Sequence, residues 1–169
     1  GGGSPHVDAT RFRGVSMHNT PIWLMNTMVK TGLFQHWRQK KAQVITWYYK
    51  GKVGGGFNYW PEGPQARPAQ IKAPMWGRAV VVENEMMFHN AETTGPAAMR
   101  HPAGLDITTQ MSADPENPTG WQLTTDGQVI QRIPEEEFRF LVHWGADIYM
   151  DLAELKRALD HSDDLTHEQ

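Results

Sequence analysis

The hydrophobic pattern near the start of the chain has the period of an amphipathic helix. Ile22, Met25 and Val29 are spaced by three and four residues and therefore share one helix face. Pro21 suits the first helical position, and Gly32 follows the last periodic residue as a stop. A second short helix is predicted to follow and to end near residue 41. The sequence thus predicts a helical segment over about 20–41.

From residue 42 onward the pattern changes to that of strands, because β-branched and aromatic residues alternate with Gly- and Pro-rich turns. A glycine-rich turn at 51–56 is expected to return the chain as a hairpin, and the segment at 79–82 is expected to be a buried strand. Strands are predicted over 43–49, 57–60, 79–82, 86–89, 105–111, 128–133 and 138–144.

The C-terminal segment predicts one more helix. Asp151 and Glu154 have the spacing of a capping box, and Leu152, Leu155 and Leu159 are expected to face inward. Many short strands and few helices favour a mainly β fold of the sandwich or barrel type. We expect a glycine-rich start at 1–4, a single domain over 5–160 and a frayed tail at 161–169.

Composition narrows the possible functions. The 169 residues carry 16 basic and 19 acidic side chains, for a net charge of −3, which argues against nucleic-acid binding. No apolar run approaches a membrane span, and the amino end lacks the apolar core of a signal peptide, so a cytoplasmic protein is predicted. The absence of cysteine from the sequence excludes disulfides and thiolate chemistry. Any chemistry must therefore use His, carboxylates, hydroxyls or a metal.

A metal-ligating pattern opens the chain. His6 and Asp8 are two residues apart, so on a strand both side chains face the same way. His89, which is predicted to end a strand, is the best candidate for the second imidazole of a two-histidine, one-carboxylate site. A second pair, His161 and Asp163, is poorly placed because only a polar tail follows it.

A carboxylate-binding arginine is expected close to this site. Arg100 lies eleven residues after His89, and its guanidinium is suited to bidentate binding of a carboxylate. Arg132 and Arg139 are alternative candidates for the same contact.

Taken in order along residues 5–110, these motifs resemble the Fe(II)- and 2-oxoglutarate-dependent dioxygenases. The likeness is closest to the prolyl-hydroxylase-like and phytanoyl-hydroxylase-like branches. It rests on the ordered motifs His6-x-Asp8, Trp47-Tyr48-Tyr49, Gly54-Gly55-Gly56, Tyr59-Trp60-Pro61, Arg78 to His89, and Arg100.

The resemblance implies a double-stranded β-helix (jelly-roll, cupin-like) core with the helical insertion and the C-terminal helix added to it. It implies that His6, Asp8 and His89 hold Fe(II), and that Arg100 binds the distal carboxylate of the co-substrate 2-oxoglutarate. Because related halogenases lack the carboxylate ligand, Asp8 favours a hydroxylase.

The resemblance also implies what such an enzyme would act on and how its fold would be completed. The substrate would be a small molecule or a peptide. Family members normally carry a segment before the His-x-Asp strand, so a preceding segment or a second chain is expected to complete the fold.

Two other functions remain open. A non-catalytic β-sandwich module could bind carbohydrates by stacking Trp and Tyr side chains on sugar rings. A cupin-like metalloenzyme that does not use 2-oxoglutarate would normally have more His ligands. The ordered set of His, Asp, His and Arg fits only the oxygenase.

Overall fold

The computed structural model describes residues 4–7, 11–166 and 168, and it confirms a mainly β protein. Of the described residues, 34% lie in strands or β-bridges and 17% in helices with the short 3-10 turns included, and the strands form three small antiparallel sheets. The two helices are α1 (Ile22–Thr31) and α2 (Leu152–Asp160). The nine strands are β1 (Lys40–Tyr48), β2 (Phe57–Trp60), β3 (Ala69–Ile71), β4 (Arg78–Val82), β5 (Phe88–Ala91), β6 (Gln110–Ala113), β7 (Trp121–Thr125), β8 (Gln128–Ile133) and β9 (Phe140–Ile148).

The sheets have the strand orders β4-β1-β9, β3-β2-β5 and β6-β7-β8. The chain divides into two compact units. The first unit contains the described residues of Gly1–His6, Ile45–Val80 and Phe88–His143. The second contains the described residues of Val7–Val44, Val81–Met87 and Trp144–Gln169. Neither of the two helices is long and apolar enough to cross a membrane, within the part of the chain that the structure describes.

Helix α1 forms where the periodicity predicts it, and its covered face differs from the predicted apolar face at Ile22. Pro21 precedes the helix, and Gly32 ends it in the left-handed conformation at a φ of 68°. Met25 and Met28 are buried and Val29 packs against the same cluster as Met28, whereas Ile22, the third residue of the predicted apolar face, is 54% exposed. The reason is that Met28 packs into a cluster with Phe12, which turns the covered face toward it.

The predicted second helix is wrong. Only a 3-10 turn at Gln35–Trp37 forms there, because Lys40 already begins β1. This long strand buries alternate residues along its C-terminal half, as the pattern of β-branched and aromatic side chains predicts.

The glycine-rich turn does not make the expected hairpin. Strand β2 pairs with β3 on one side and with β5 on the other, whereas β1 belongs to a different sheet. The turn instead wraps around the buried ring of Tyr49. A Cβ on Gly51 or Gly55 would lie 2.3 or 2.6 Å from that ring, and Gly55 has a φ of 71°. Glycine is needed here because the backbone lies directly against an aromatic ring.

Other strand predictions need correction. Strand β4, expected to be buried, is an edge strand on which Val81 is 68% exposed. The strand predicted over 105–111 forms later, as β6. Strands β3 and β7 were not predicted, whereas β8 has the predicted bounds of 128–133.

The C-terminal region in the second unit also differs from its prediction. Asp151 caps α2 by accepting a hydrogen bond from the backbone N–H of Glu154 at 2.7 Å, as expected. Leu152 and Leu159 are exposed, so the predicted apolar face of α2 is wrong for both residues. The segment predicted to fray is packed at Leu165, which is buried against Phe12 and Met28.

Candidate functional site

The candidate metal site is centred on an imidazole pair in the first unit. The backbones of His6 and His89 form an antiparallel bridge, with N–O distances of 3.0 and 2.8 Å. Their ring centroids lie 4.6 Å apart. The other edge of β5 pairs with β2, where Tyr59 is the register partner of His89. His89 is therefore held between two neighbouring segments and lies inside β5 rather than at its end.

The two imidazoles have different environments. His89 is buried, whereas His6 is exposed, with its Nδ1 at 2.9 Å from the backbone oxygen of Ser4. A donor role for Nδ1 in this contact leaves the Nε2 lone pair of His6 for a metal ion. The pair thus combines one buried imidazole with one at the surface.

The carboxylate predicted to complete the site, Asp8, lies outside the described residues. Among the residues that the structure does describe, no group of three or more His, Asp or Glu side chains is arranged to hold a metal ion. The structure therefore brings together His6 and His89, while the predicted role of Asp8 stays a prediction.

A row of aromatic side chains leads away from the imidazole pair within the first unit. The ring of Phe57 lies 5.6 Å from that of His89, and the ring of Trp47 lies 5.0 Å from that of Phe57. The guanidinium carbon of Arg139 lies 5.9 Å from the Trp47 ring centroid. Contacts between rings thus connect the two histidines to an arginine.

Arg100, the predicted carboxylate ligand, is partly used by the chain itself. Its Nε and Nη2 donate to the backbone oxygen of Gly95 at 3.3 and 3.1 Å. It follows a 3-10 turn at Ala97–Met99 rather than lying on a strand. His6 and His89 are not among the residues that line the cleft next to Arg100.

Arg132 is neutralised by two acidic side chains. It forms ion pairs with Asp114 and, at 2.7 Å, with Glu116. The hydrogen bond from Arg132 holds the pKa of the Asp114 carboxyl below its usual value. This arginine has little capacity left for a ligand.

Arg139 differs from both. Its Nε is buried and has no hydrogen-bond partner among the described residues, and the same is true of Nε1 of the adjacent Trp47. Burial lowers the pKa of the Arg139 guanidinium. Buried N–H donors are nearly always paired in proteins, so these two contacting side chains each lack an acceptor among the described residues, as Nε of Arg38 does elsewhere.

Two carboxylates line the cleft of about 370 Å³ beside Arg139, and both are hydrogen-bonded. Glu137 is 3.1 Å from the hydroxyl of Tyr49, and Glu92 accepts from the backbone N–H of Gly56 at 3.2 Å. Burial raises the pKa of Tyr49, and the charge of Glu137 adds to this effect. Tyr49 therefore stays a neutral hydrogen-bonding group at ordinary pH.

Sequence reasoning found the two histidines but ranked the arginines without knowing their partners. Arg139 was named only as an alternative, and Trp47 only as one of several aromatic residues. No sequence signal distinguishes Arg139, because its difference from the other two arginines lies in its hydrogen-bond partners. No family of proteins, curated protein or solved structure matches this chain in comparisons of sequence and structure.

Proposed function

We propose that this protein is an Fe(II)- and 2-oxoglutarate-dependent oxygenase that hydroxylates a C–H bond of a small molecule or peptide in the cytoplasm. The reaction would convert 2-oxoglutarate and O2 to succinate and CO2, with one oxygen atom entering the substrate. The observation that carries the proposal is the pairing of His6 with His89 across adjacent segments, with rings 4.6 Å apart.

The chemistry of this donor set fits iron. Imidazole nitrogens suit Fe(II), and two histidines with one carboxylate leave open positions for a co-substrate and O2. Backbone hydrogen bonds on both sides of the bridge hold the two imidazoles next to each other. In the proposal, Asp8 supplies the carboxylate, two residues after His6.

The path of the chain supports a jelly-roll core. The His6 segment pairs with β5, β1 belongs to the sheet with β4 and β9, and β2 returns to the sheet with β5. The chain then enters β4 in the sheet of β1, returns to β5 in the sheet of β2, and later enters β9 in the sheet of β1. Repeated crossing between two sheets is typical of a jelly roll. Within the first unit, the contact of Trp47 with Phe57 joins side chains from the two sheets.

The unpaired donors support a carboxylate-binding position. Arg139 Nε and Trp47 Nε1 are buried and lack partners among the described residues, which is costly unless a ligand supplies an acceptor. Arg139 and Trp47 belong to the same unit as the imidazole pair, and Trp47 contacts Phe57, whose ring lies 5.6 Å from that of His89. We therefore assign this contact to Arg139, with Arg100 as the alternative.

Each group then has a defined task. Iron with 2-oxoglutarate supplies the oxidising chemistry when both are bound. His6 and His89 hold the metal ion, and Arg139 orients the co-substrate by neutralising its distal carboxylate. The buried rings of Phe57 and Trp47 would keep water away from the side of His89 that Phe57 covers.

The test is an anaerobic titration with Fe(II), followed by 2-oxoglutarate, monitored through the weak visible band of the metal chelate. His89→Ala should abolish Fe(II) binding, whereas His143→Ala, which alters a histidine outside the pair, should leave it intact. Asp8→Ala should weaken Fe(II) binding and abolish hydroxylation. Normal Fe(II) binding by His89→Ala would overturn the metal site.

Three arginine variants test the co-substrate contact. Arg139→Met should weaken 2-oxoglutarate binding by about thirtyfold or more, because a desolvated charge pair loses one partner. Fe(II) binding should remain. Arg132→Met is the control and should leave both affinities unchanged. A loss of 2-oxoglutarate affinity in Arg100→Met alone would assign the contact to Arg100. Unchanged affinity in both variants would contradict the assignment of 2-oxoglutarate as the co-substrate.

A further inference from the structure

A second cleft in the first unit is lined mainly by aromatic side chains. Its volume is about 480 Å³, and neither histidine of the candidate metal site lines it. Five aromatic residues and one acid form most of its wall, namely Tyr48, Trp76, Trp121, Phe138, Phe140 and Glu135.

The rings of this aromatic cleft present faces in different directions. Tyr48 and Trp76 meet nearly at right angles, with centroids 5.5 Å apart, and Phe140 lies 6.1 Å from Tyr48. Trp121 and Phe138 stack on each other at 4.8 Å. Trp76 and Phe140 are 58% and 51% exposed, so a ligand can reach both rings.

One cation already occupies the edge of the aromatic cleft. The ammonium of Lys50 lies 4.7 Å from the ring centroid of Trp76 and forms an ion pair with Glu135. An aromatic face and a carboxylate therefore act together on a positive charge at this position. A ligand that is complementary to this arrangement would therefore carry a positive charge.

We propose that the aromatic cleft binds a ligand carrying an alkylated ammonium group, such as a quaternary ammonium. Attraction between a cation and aromatic faces is strongest for a cation that loses little hydration on binding. A quaternary ammonium is apolar at its surface and poorly hydrated, whereas the ammonium of Lys50 is strongly hydrated. The ligand would displace Lys50 from the face of Trp76 and retain the attraction of Glu135. This site is independent of the proposed oxygenase chemistry.

Choline and 3,3-dimethyl-1-butanol make a matched pair of probes, because they have the same shape and differ in charge. Binding to the full chain is followed by NMR through the indole N–H signals of Trp76 and Trp121, assigned with Trp→Phe variants. Choline should bind at least about tenfold more tightly than the neutral alcohol, as expected for a desolvated cation on aromatic rings. Equal affinity for the two probes would overturn the proposal.

Two substitutions have opposite expected effects on choline binding. Glu135→Gln should weaken it by about threefold to tenfold, because the attracting charge is lost. Lys50→Met should tighten it several-fold, because the competing cation is removed. Glu136→Gln and Lys52→Met change the net charge equally at neighbouring exposed positions and serve as controls.

Weaker choline binding in Lys50→Met would contradict the proposed competition between Lys50 and the ligand for the face of Trp76. Equal effects in the control variants would mean that only net charge matters, which also overturns the site. Methyl glucoside provides the contrast with a sugar-binding cleft. Tighter binding of this neutral sugar than of choline, at the same indole signals, would replace the proposal with carbohydrate stacking.

Discussion

Arg13 in the second unit and Arg139 in the first unit differ in how their buried donors are paired. In the second unit, Arg13 places Nε and Nη2 at 3.0 and 3.1 Å from the carboxylate of Asp163. Its Nη2 also donates to the backbone oxygen of His36 at 2.8 Å, and Glu154 lies 3.8 Å from Nη1. In the first unit, Arg139 has a buried Nε with no partner among the described residues.

The difference separates a structural arginine from one suited to a ligand. The bonds of Arg13 compensate for the cost of removing its charge from water, and they join the N-terminal part of the second unit to its C-terminal segment. The burial of Arg139 is compensated only in part, by the face of Trp47. Burying a charge with incomplete hydrogen bonding destabilises the fold, and such groups are found more often at sites where a ligand compensates for the cost.

The largest effect is expected from Asp163→Ala, which tests the paired arginine. The substitution leaves the guanidinium of Arg13 buried without its bidentate partner, so the free energy of unfolding should fall by about 3–5 kcal/mol. Urea unfolding followed by tryptophan fluorescence measures the change.

Arg157→Ala is the control for this effect. The Nε of Arg157 also lies near Asp163, at 3.3 Å, but the side chain is 44% exposed. Its removal should cost no more than about 1 kcal/mol, as is usual for exposed ion pairs. Equal losses in the two variants would mean that burial of Arg13 does not determine the strength of the network.

A smaller effect is expected from Arg139→Met, which tests the unpaired arginine. Because Nε of Arg139 has no hydrogen bond to lose, replacement by an apolar chain of similar length should lower the free energy of unfolding by no more than about 1 kcal/mol. Urea unfolding of the ligand-free protein is the measurement.

Arg100→Met makes the same substitution at a bonded arginine of the first unit. It should cost about 1–2 kcal/mol, because the hydrogen bonds to the backbone oxygen of Gly95 are lost. If Arg139→Met proves the more costly of the two, the comparison between paired and unpaired arginines fails.

The smallest effect is expected from Glu85→Gln, which tests whether the second unit compensates all its buried charges. Burial raises the pKa of the Glu85 carboxyl above its usual value. A raised pKa means that the folded state favours the protonated form of Glu85. The contribution of Glu85 to the stability of the fold is therefore greatest at low pH and is lost as pH rises through the raised pKa.

Glu85→Gln should therefore be slightly more stable than the natural chain at pH 7, and the difference should shrink toward pH 4. Unfolding measured across this pH range checks both statements. Glu83→Gln is the control, because Glu83 forms an ion pair with Arg38 and should lose stability at pH 7. A loss of stability at pH 7 in Glu85→Gln would show that the carboxylate is well compensated.

For the candidate site, the sequence was sufficient to pair His6 with His89 but not to choose an arginine. The sequence has eight histidines, and His89 was chosen because of its place in a predicted strand and because of the family resemblance. The choice among Arg100, Arg132 and Arg139 depends on which donors are already bonded, and their partners are backbone oxygens and acids from elsewhere in the chain. These partners cannot be identified from the sequence, because the fold brings them together from distant positions.

For the fold, the sequence predicted those features that depend on a few neighbouring residues, such as helix ends and caps. The stop at Gly32, the cap at Asp151 and the strand β1 follow from backbone conformation and residue type, so they were predicted correctly. Tertiary structure decided which strands pair and which faces are covered. The glycine-rich turn led to a hairpin prediction because nothing local reveals that its glycines pack against the ring of Tyr49. Likewise, α1 buries Met28 instead of Ile22 because the cluster that covers it includes Leu165, more than a hundred residues away along the chain.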